Sequence, residues 1–217
     1  MSPEHHTHAS GAALAAAPWR PPDAARYAYL LGVHLCDGEV APARNGLPAA
    51  LRLTLDAAHP RIVEECAEAM AVVGDGGPVD VRTPRTGDVR ELESFWPGWP
   101  EALPAPGAGA PHRRAIALAG WQRAIAEAYP GPFVRGLLHA DGCRTVNRFR
   151  STLPSGRVRK YAYPRYFFSN VNPDVRALFR DACTALGVRT TVSTARNVSV
   201  SHRDSVARLE EIVGPKA

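Results

Sequence analysis

LLGVHLCDG at residues 30–38 and VRGLLHADG at residues 134–142 decide how this chain is read. Both are apolar stretches that end on Asp-Gly, and both place a glycine five residues ahead of the aspartate, Gly32 before Asp37 and Gly136 before Asp141. The two glycines lie 104 residues apart, and so do the two aspartates. The simplest account is a duplicated helix whose acidic end is used twice. Four residues after each glycine stands a second small residue, Cys36 or Ala140, which lays a smooth stripe along one helical face. Two such stripes let helices pack backbone to backbone. That packing sets Asp37 and Asp141 side by side at helix C-termini, where the last carbonyls already carry partial negative charge. A cation offsets the repulsion, and a small carboxylate site that keeps its waters suits Mg²⁺ (or Mn²⁺). The pair reads as a shared metal site, against the plainer reading that Asp-Gly is a common turn dipeptide that only stops a helix.

The rest of each half repeats as well. LRLTLDAAHPRIVEECAEAMAVVG from Leu51 to Gly74 aligns without a gap on RYFFSNVNPDVRALFRDACTALG from Arg165 to Gly187 at an offset of 113, so that Pro60 meets Pro173, Cys66 meets Phe179 and Gly74 meets Gly187. Each is a strand running into a helix, with proline in the first turn, Asn172 as an N-cap and glycine as the stop. The offset grows from 104 to 113 between motif and helix, which puts nine extra residues into the second hairpin, between Gly142 and Arg165. Arg90 to Phe95 and Asn197 to Ser201 read as strands, 119–128 as a helix, and Arg203 to Val213 as a closing helix.

These residues resemble the LAGLIDADG motif of homing endonucleases, twice and in register, with the glycine third, the acid eighth and the closing glycine ninth. The resemblance covers about residues 27–214. It implies an α+β fold of two pseudo-symmetric αββαββα repeats, with antiparallel sheets forming a DNA-binding saddle and the two motif helices packed at the centre. It implies that Asp37 and Asp141, with Gly38 and Gly142 beside them, hold the metal ions, and that the two aspartates are catalytic in cleaving DNA phosphodiester bonds. The expected organisation is a flexible extension over 1–26, a first repeat over 27–96, a Pro/Gly-rich linker over 97–115 and a second repeat over 116–217.

The second hairpin is the most basic part of the chain, with Arg144, Arg148, Arg150, Arg157, Arg159, Lys160 and Arg165 around a turn at Pro154, Ser155 and Gly156. An arginine-bearing two-stranded ribbon fits the major groove and takes phosphates or guanine edges. Tyr161, Tyr163 and Tyr166 interleave with these charges. Lys plus Arg number 26 against 21 for Asp plus Glu, a net charge of +5 and a pI near 9.3, which agrees with double-stranded DNA as partner. Arg52 is the first-half counterpart of Arg165, and Arg44 is the only basic residue in the short first hairpin between Gly38 and Leu51. Both join the DNA-binding candidates. The first half contains no lysine, which leaves a second expectation open: a DNA-binding transcriptional regulator that keeps the fold without cleaving.

Cys36, Cys66, Cys143 and Cys183 lack paired C-x-x-C spacing, which argues against zinc. No apolar run is long enough to span a bilayer, and the chain is expected to be a cytoplasmic, nucleoid-associated monomer. His5, His6 and His8 are adventitious metal ligands at most, and His34 and His139 on the motif helices read as packed or hydrogen-bonded histidines.

Overall fold

Asp23 starts the first motif helix by accepting the backbone N–H of Arg26 on Oδ1 at 2.9 Å, which satisfies a donor that the helix itself leaves orphaned. The computed structural model describes residues 19–85, 87–104 and 115–214. His5, His6 and His8, most of the N-terminal extension and the middle of the Pro/Gly-rich linker lie outside the described residues.

In chain order the elements are α1 (Ala24–Asp37), β1 (Gly38–Ala41), β2 (Ala50–Asp56), α2 (Pro60–Val73), β3 (Asp80–Arg82), β4 (Val89–Phe95) and α3 (Trp99–Ala102) in the first repeat. After α4 (Gly120–Ala128), the second repeat runs α5 (Pro130–Asp141), β5 (Gly142–Thr152), β6 (Val158–Ser169), α6 (Pro173–Ala185), β7 (Thr191–Val192), β8 (Asn197–Val200) and α7 (Arg203–Val213). The fold is α+β with two pseudo-symmetric αββαββα repeats. The two sheets have matching antiparallel order, β1-β2-β4-β3 and β5-β6-β8-β7.

Alternation decides which side of each sheet is core. Leu51, Leu53 and Leu55 of β2 are buried while Arg52, Thr54 and Asp56 between them are exposed, the period-two pattern of a sheet with one wet face. In the second sheet Tyr166, Phe168, Val198 and Val200 do the same work, and Phe168 stacks on Phe179 of α6 with centroids 4.4 Å apart. Pro60 and Pro173 occupy the first turns of α2 and α6, and the Asn172 side chain caps α6 by accepting from Asp174 N at 2.9 Å.

α3 is only one turn long, yet Trp99, Ala102 and Leu103 are buried. The Trp99 indole donates to the Ser94 carbonyl at 3.0 Å, so residues 97–104 pack onto the first repeat. Trp19, Tyr27, Trp96 and Trp121 complete an aromatic cluster that docks α4 on the first repeat.

The nine extra residues fall where the offset puts them. β5 and β6 span 11 and 12 residues against four in β1, so the second ribbon reaches roughly 37 Å against roughly 14 Å for the first at ~3.4 Å per residue. The first hairpin closes instead on a tight turn in which Asn45 and Gly46 take φ of 52° and 79°, the left-handed pair of a type I′ turn. No helix among the described residues is long and apolar enough to cross a membrane.

Candidate nucleic-acid interface and metal centre

The motif helices α1 and α5 touch through their backbones. A Cβ placed on Gly32 comes 2.5 Å from the Phe133 carbonyl oxygen and 2.9 Å from Leu137 N, and one on Gly136 overlaps the Tyr29 carbonyl oxygen and sits 3.1 Å from Val33 N. No side chain larger than hydrogen fits either position without moving a helix. Across the same seam, Arg135 of α5 grips Glu65 of α2 with both arms of its guanidinium, at 2.8 and 2.7 Å, a bidentate geometry that fixes orientation as well as charge.

The approach of the helices carries their acidic ends together. Cys36, on α1, lies beside Asp141 from α5 and its own neighbour Asp37. Its thiol is hydrogen-bonded to the Asp141 and Asn170 side chains, and burial, then the charges of Asp141 and Asp37, hold its pKa well above the ordinary thiol value. Cys36 is therefore a neutral thiol within reach of the charge of both carboxylates.

Asn170 holds one of these carboxylates directly, its Nδ2 donating to Asp141 Oδ2 at 2.6 Å. The amide cannot turn away, because its oxygen accepts the Asn172 backbone N–H at 2.7 Å. Asn170 was not legible in the sequence, since it belongs to no motif; the only available signal was that the 113-residue offset puts Ala57 at its place in the first half. The Asp141 carboxylate is thus oriented by a side chain that is itself held in place.

The donor set fits a hard divalent cation of the Mg²⁺ or Mn²⁺ type. Asp37 and Asp141 offer carboxylate oxygens, and the neighbouring Gly38 and Gly142 stand where the helices hand over to extended backbone. Among the described residues no group of three or more His, Cys, Asp or Glu is arranged to hold a metal. Two carboxylates would leave the rest of the coordination shell to water and phosphate, which is how Mg²⁺ is usually held.

The motif histidines are structural neighbours of this centre. His34 is buried and its Nε2 donates to the Pro104 carbonyl at 3.0 Å, while burial lowers its pKa. His139 is also buried; Nε2 donates to the Val213 carbonyl at 3.2 Å and Nδ1 meets the Tyr29 hydroxyl at 3.0 Å. Two carbonyl acceptors fix both tautomers.

The basic candidates divide by strand register. Cys143, Thr145, Asn147, Phe149 and Ser151 face the same side as Arg159, Tyr161, Tyr163, Arg165 and Phe167, whereas Arg148, Arg150 and Lys160 share the other side with Tyr166 and Phe168. On the first side Phe149, Tyr161 and Tyr163 form a stacked row, with centroids 5.2 and 5.9 Å apart and interplanar angles of 24° and 17°. Arg165 lays its guanidinium on the Phe167 ring at 3.9 Å, and its Nε has no hydrogen-bond partner among the described residues. Arg157 lies in the exposed turn, as does Arg44 in the first hairpin. Two candidates are already engaged: Arg144 donates to Glu210 at 2.9 and 2.5 Å, and Arg52 donates through Nε to Glu93 at 2.8 Å.

No family model and no curated protein matches the sequence. Among solved structures the chain is similar to I-DmoI in complex with DNA and Mn, with 16% identity and a TM-score of 0.51, covering 88% of this chain and 98% of that one. It is similar to the LAGLIDADG meganuclease I-AabMI bound to uncleaved DNA, with 10% identity and a TM-score of 0.51, over 86% of this chain and 82% of that one. A third likeness is the I-LtrWI LAGLIDADG homing endonuclease bound to target DNA, with 9% identity and a TM-score of 0.50, over 88% and 82% of the two chains. The fold is that of the single-chain LAGLIDADG homing endonucleases.

Proposed function

We propose that this chain binds double-stranded DNA and cleaves its phosphodiester bonds at the junction of α1 and α5, with Asp37 and Asp141 holding Mg²⁺ or Mn²⁺. One observation carries the reading: the helices that end on Asp37 and Asp141 pack backbone to backbone at Gly32 and Gly136, and the charges of both aspartates reach the same thiol, Cys36, an arrangement that costs repulsion and is relieved by a cation. Similar structures bound to DNA, one of them with Mn, add support. When bound, the ion supplies positive charge that stabilises a phosphate gaining negative charge as it is attacked. The chain's own residues do the rest. Asn170 fixes the direction of one Asp141 oxygen. Gly32 and Gly136 set the separation of the acids by setting that of the helices. Arg165, its guanidinium 3.9 Å from the Phe167 ring centroid, would hold a phosphate.

A second reading is favoured by one feature. In the first repeat Arg52 is bonded to Glu93 and no lysine is present, so a non-cleaving DNA-binding regulator is the competitor.

The experiment that tests both incubates the purified chain with host genomic and plasmid DNA plus Mg²⁺ or Mn²⁺, beside the Asp37→Ala/Asp141→Ala double variant. Metal-dependent nicks that vanish in the variant establish the nuclease. Salt-sensitive retention of DNA without nicks, on a verified target, assigns the regulator; a salt slope near zero removes DNA binding altogether.

A further inference from the structure

We infer that, away from the aspartate pair, duplex DNA is gripped by the sheet of the second repeat alone, and that the wet face of the first sheet turns DNA away. This rests on the DNA-binding reading above and deepens it by giving the two repeats different tasks.

The first sheet presents two neighbouring cross-strand rows. One runs Glu39, Arg52, Glu93, Asp80 across β1, β2, β4 and β3; the next runs Thr54, Glu91, Arg82 across β2, β4 and β3. They hold four carboxylates and two guanidiniums, and all of them but Asp80 line an open groove of about 640 Å³ that reaches Asp37. Neither guanidinium is at the disposal of a phosphate. Arg52 is bonded to Glu93 at 2.8 Å, and Arg82 lies 3.3 Å from Glu93 and 3.4 Å from Asp80. A DNA backbone laid here meets surplus negative charge with its countercharges already spent, the reverse of the basic footprint that gives non-specific DNA affinity.

The matching face of the second sheet carries no carboxylate on β5 or β6. From Cys143 to Ser151 and from Arg159 to Phe167 it offers hydroxyls, an amide, a thiol, aromatic rings and two arginines. Those arginines lie against rings, Arg159 on Tyr161 at 5.8 Å and Arg165 on Phe167 at 3.9 Å, and the buried Arg165 Nε has no hydrogen-bond partner among the described residues. Phe149 and Tyr163 are 46% and 50% exposed, a large aromatic surface for a sheet face that no described residue covers. A ribbon of roughly 37 Å matches one turn of duplex, about 10 base pairs, whereas the first ribbon is too short to follow a groove. The predicted footprint is one-sided.

The test uses the full chain, a random duplex of about 30 base pairs at low salt, and arginine-selective labelling read by mass spectrometry. Arg159 and Arg165 are expected to be protected by DNA at least fivefold, and Arg44 and Arg82 not at all. Arg159→Ala/Arg165→Ala is expected to weaken binding more than tenfold and lower the salt slope by about 2, with unchanged circular dichroism. Glu39→Gln/Glu91→Gln is expected to tighten binding. Protection of Arg44 and Arg82 equal to that of Arg159 overturns the one-sided inference and leaves DNA binding standing. Absence of protection everywhere, with no salt-dependent retention, overturns both.

Discussion

Asn170 and Asp141 are joined by a 2.6 Å amide-to-carboxylate hydrogen bond, while the residue equivalent to Asn170 in the first repeat is Ala57. Pseudo-symmetry repeats the acid, whereas the amide that orients Asp141 has no counterpart at position 57. One oxygen of Asp141 is committed before any ligand arrives.

Replacing Asn170 by Ala is expected to free Asp141 to rotate and to weaken Mg²⁺ or Mn²⁺ binding about 10- to 100-fold, the usual cost of losing a partner that orients a metal ligand. Isothermal titration of the metal against wild type and variant reads this directly. An unchanged affinity would show that Asp141 needs no orienting partner.

Metal alone is expected to stabilise the protein. At a metal concentration 100 times its Kd, binding to the folded state adds about 2.7 kcal/mol, visible as a rise in Tm over a sample in EDTA. Asp37→Asn/Asp141→Asn is expected to abolish the rise. A Tm indifferent to Mg²⁺ and Mn²⁺ in the wild type contradicts the shared site.

Gly136→Ala drives a methyl group into the Tyr29 carbonyl oxygen, which belongs to helix backbone and cannot swing aside. The expected cost is about 3 kcal/mol, at the upper end for overpacking, measured by urea unfolding. Gly120→Ala, where a Cβ meets nothing within 4 Å, serves as the control and is expected to leave stability intact.

Stability is expected to fall on mild acidification through His34. Its folded-state pKa lies below the ordinary 6.5 because burial opposes charging, so the unfolded chain takes up the proton first. The contribution is complete above about pH 6.5 and is lost as pH falls toward the folded value, at up to about 1.4 kcal/mol per pH unit. His34→Gln, which keeps a donor for Pro104, is expected to flatten that part of the urea-derived stability profile. An unaltered slope would assign it to other groups.

The repeat, the element order, the glycine seam and the longer second ribbon were all legible in the chain, because each is written in local spacing: Gly32 to Asp37, Pro60 to Gly74, the offset that widens by nine residues. Arginines counted along the second hairpin looked like one basic surface. Register splits them, sending Arg148 and Arg150 to one side and Arg159 and Arg165 to the other, and it brings Glu93 against Arg52 from a strand 41 residues away.

What the amino-acid order determined by itself, then, was periodicity: where helices and strands fall, where two backbones can touch, and that an acid ends each motif helix. Only the tertiary structure decided which charges are already neutralised, that Asn170 holds Asp141, and that Cys36 feels the charge of both aspartates. The physical reason is that hydrogen bonding and Coulomb attraction act over a few ångströms of space, and cross-strand neighbours are chosen by sheet register and helix packing, which no local spacing encodes.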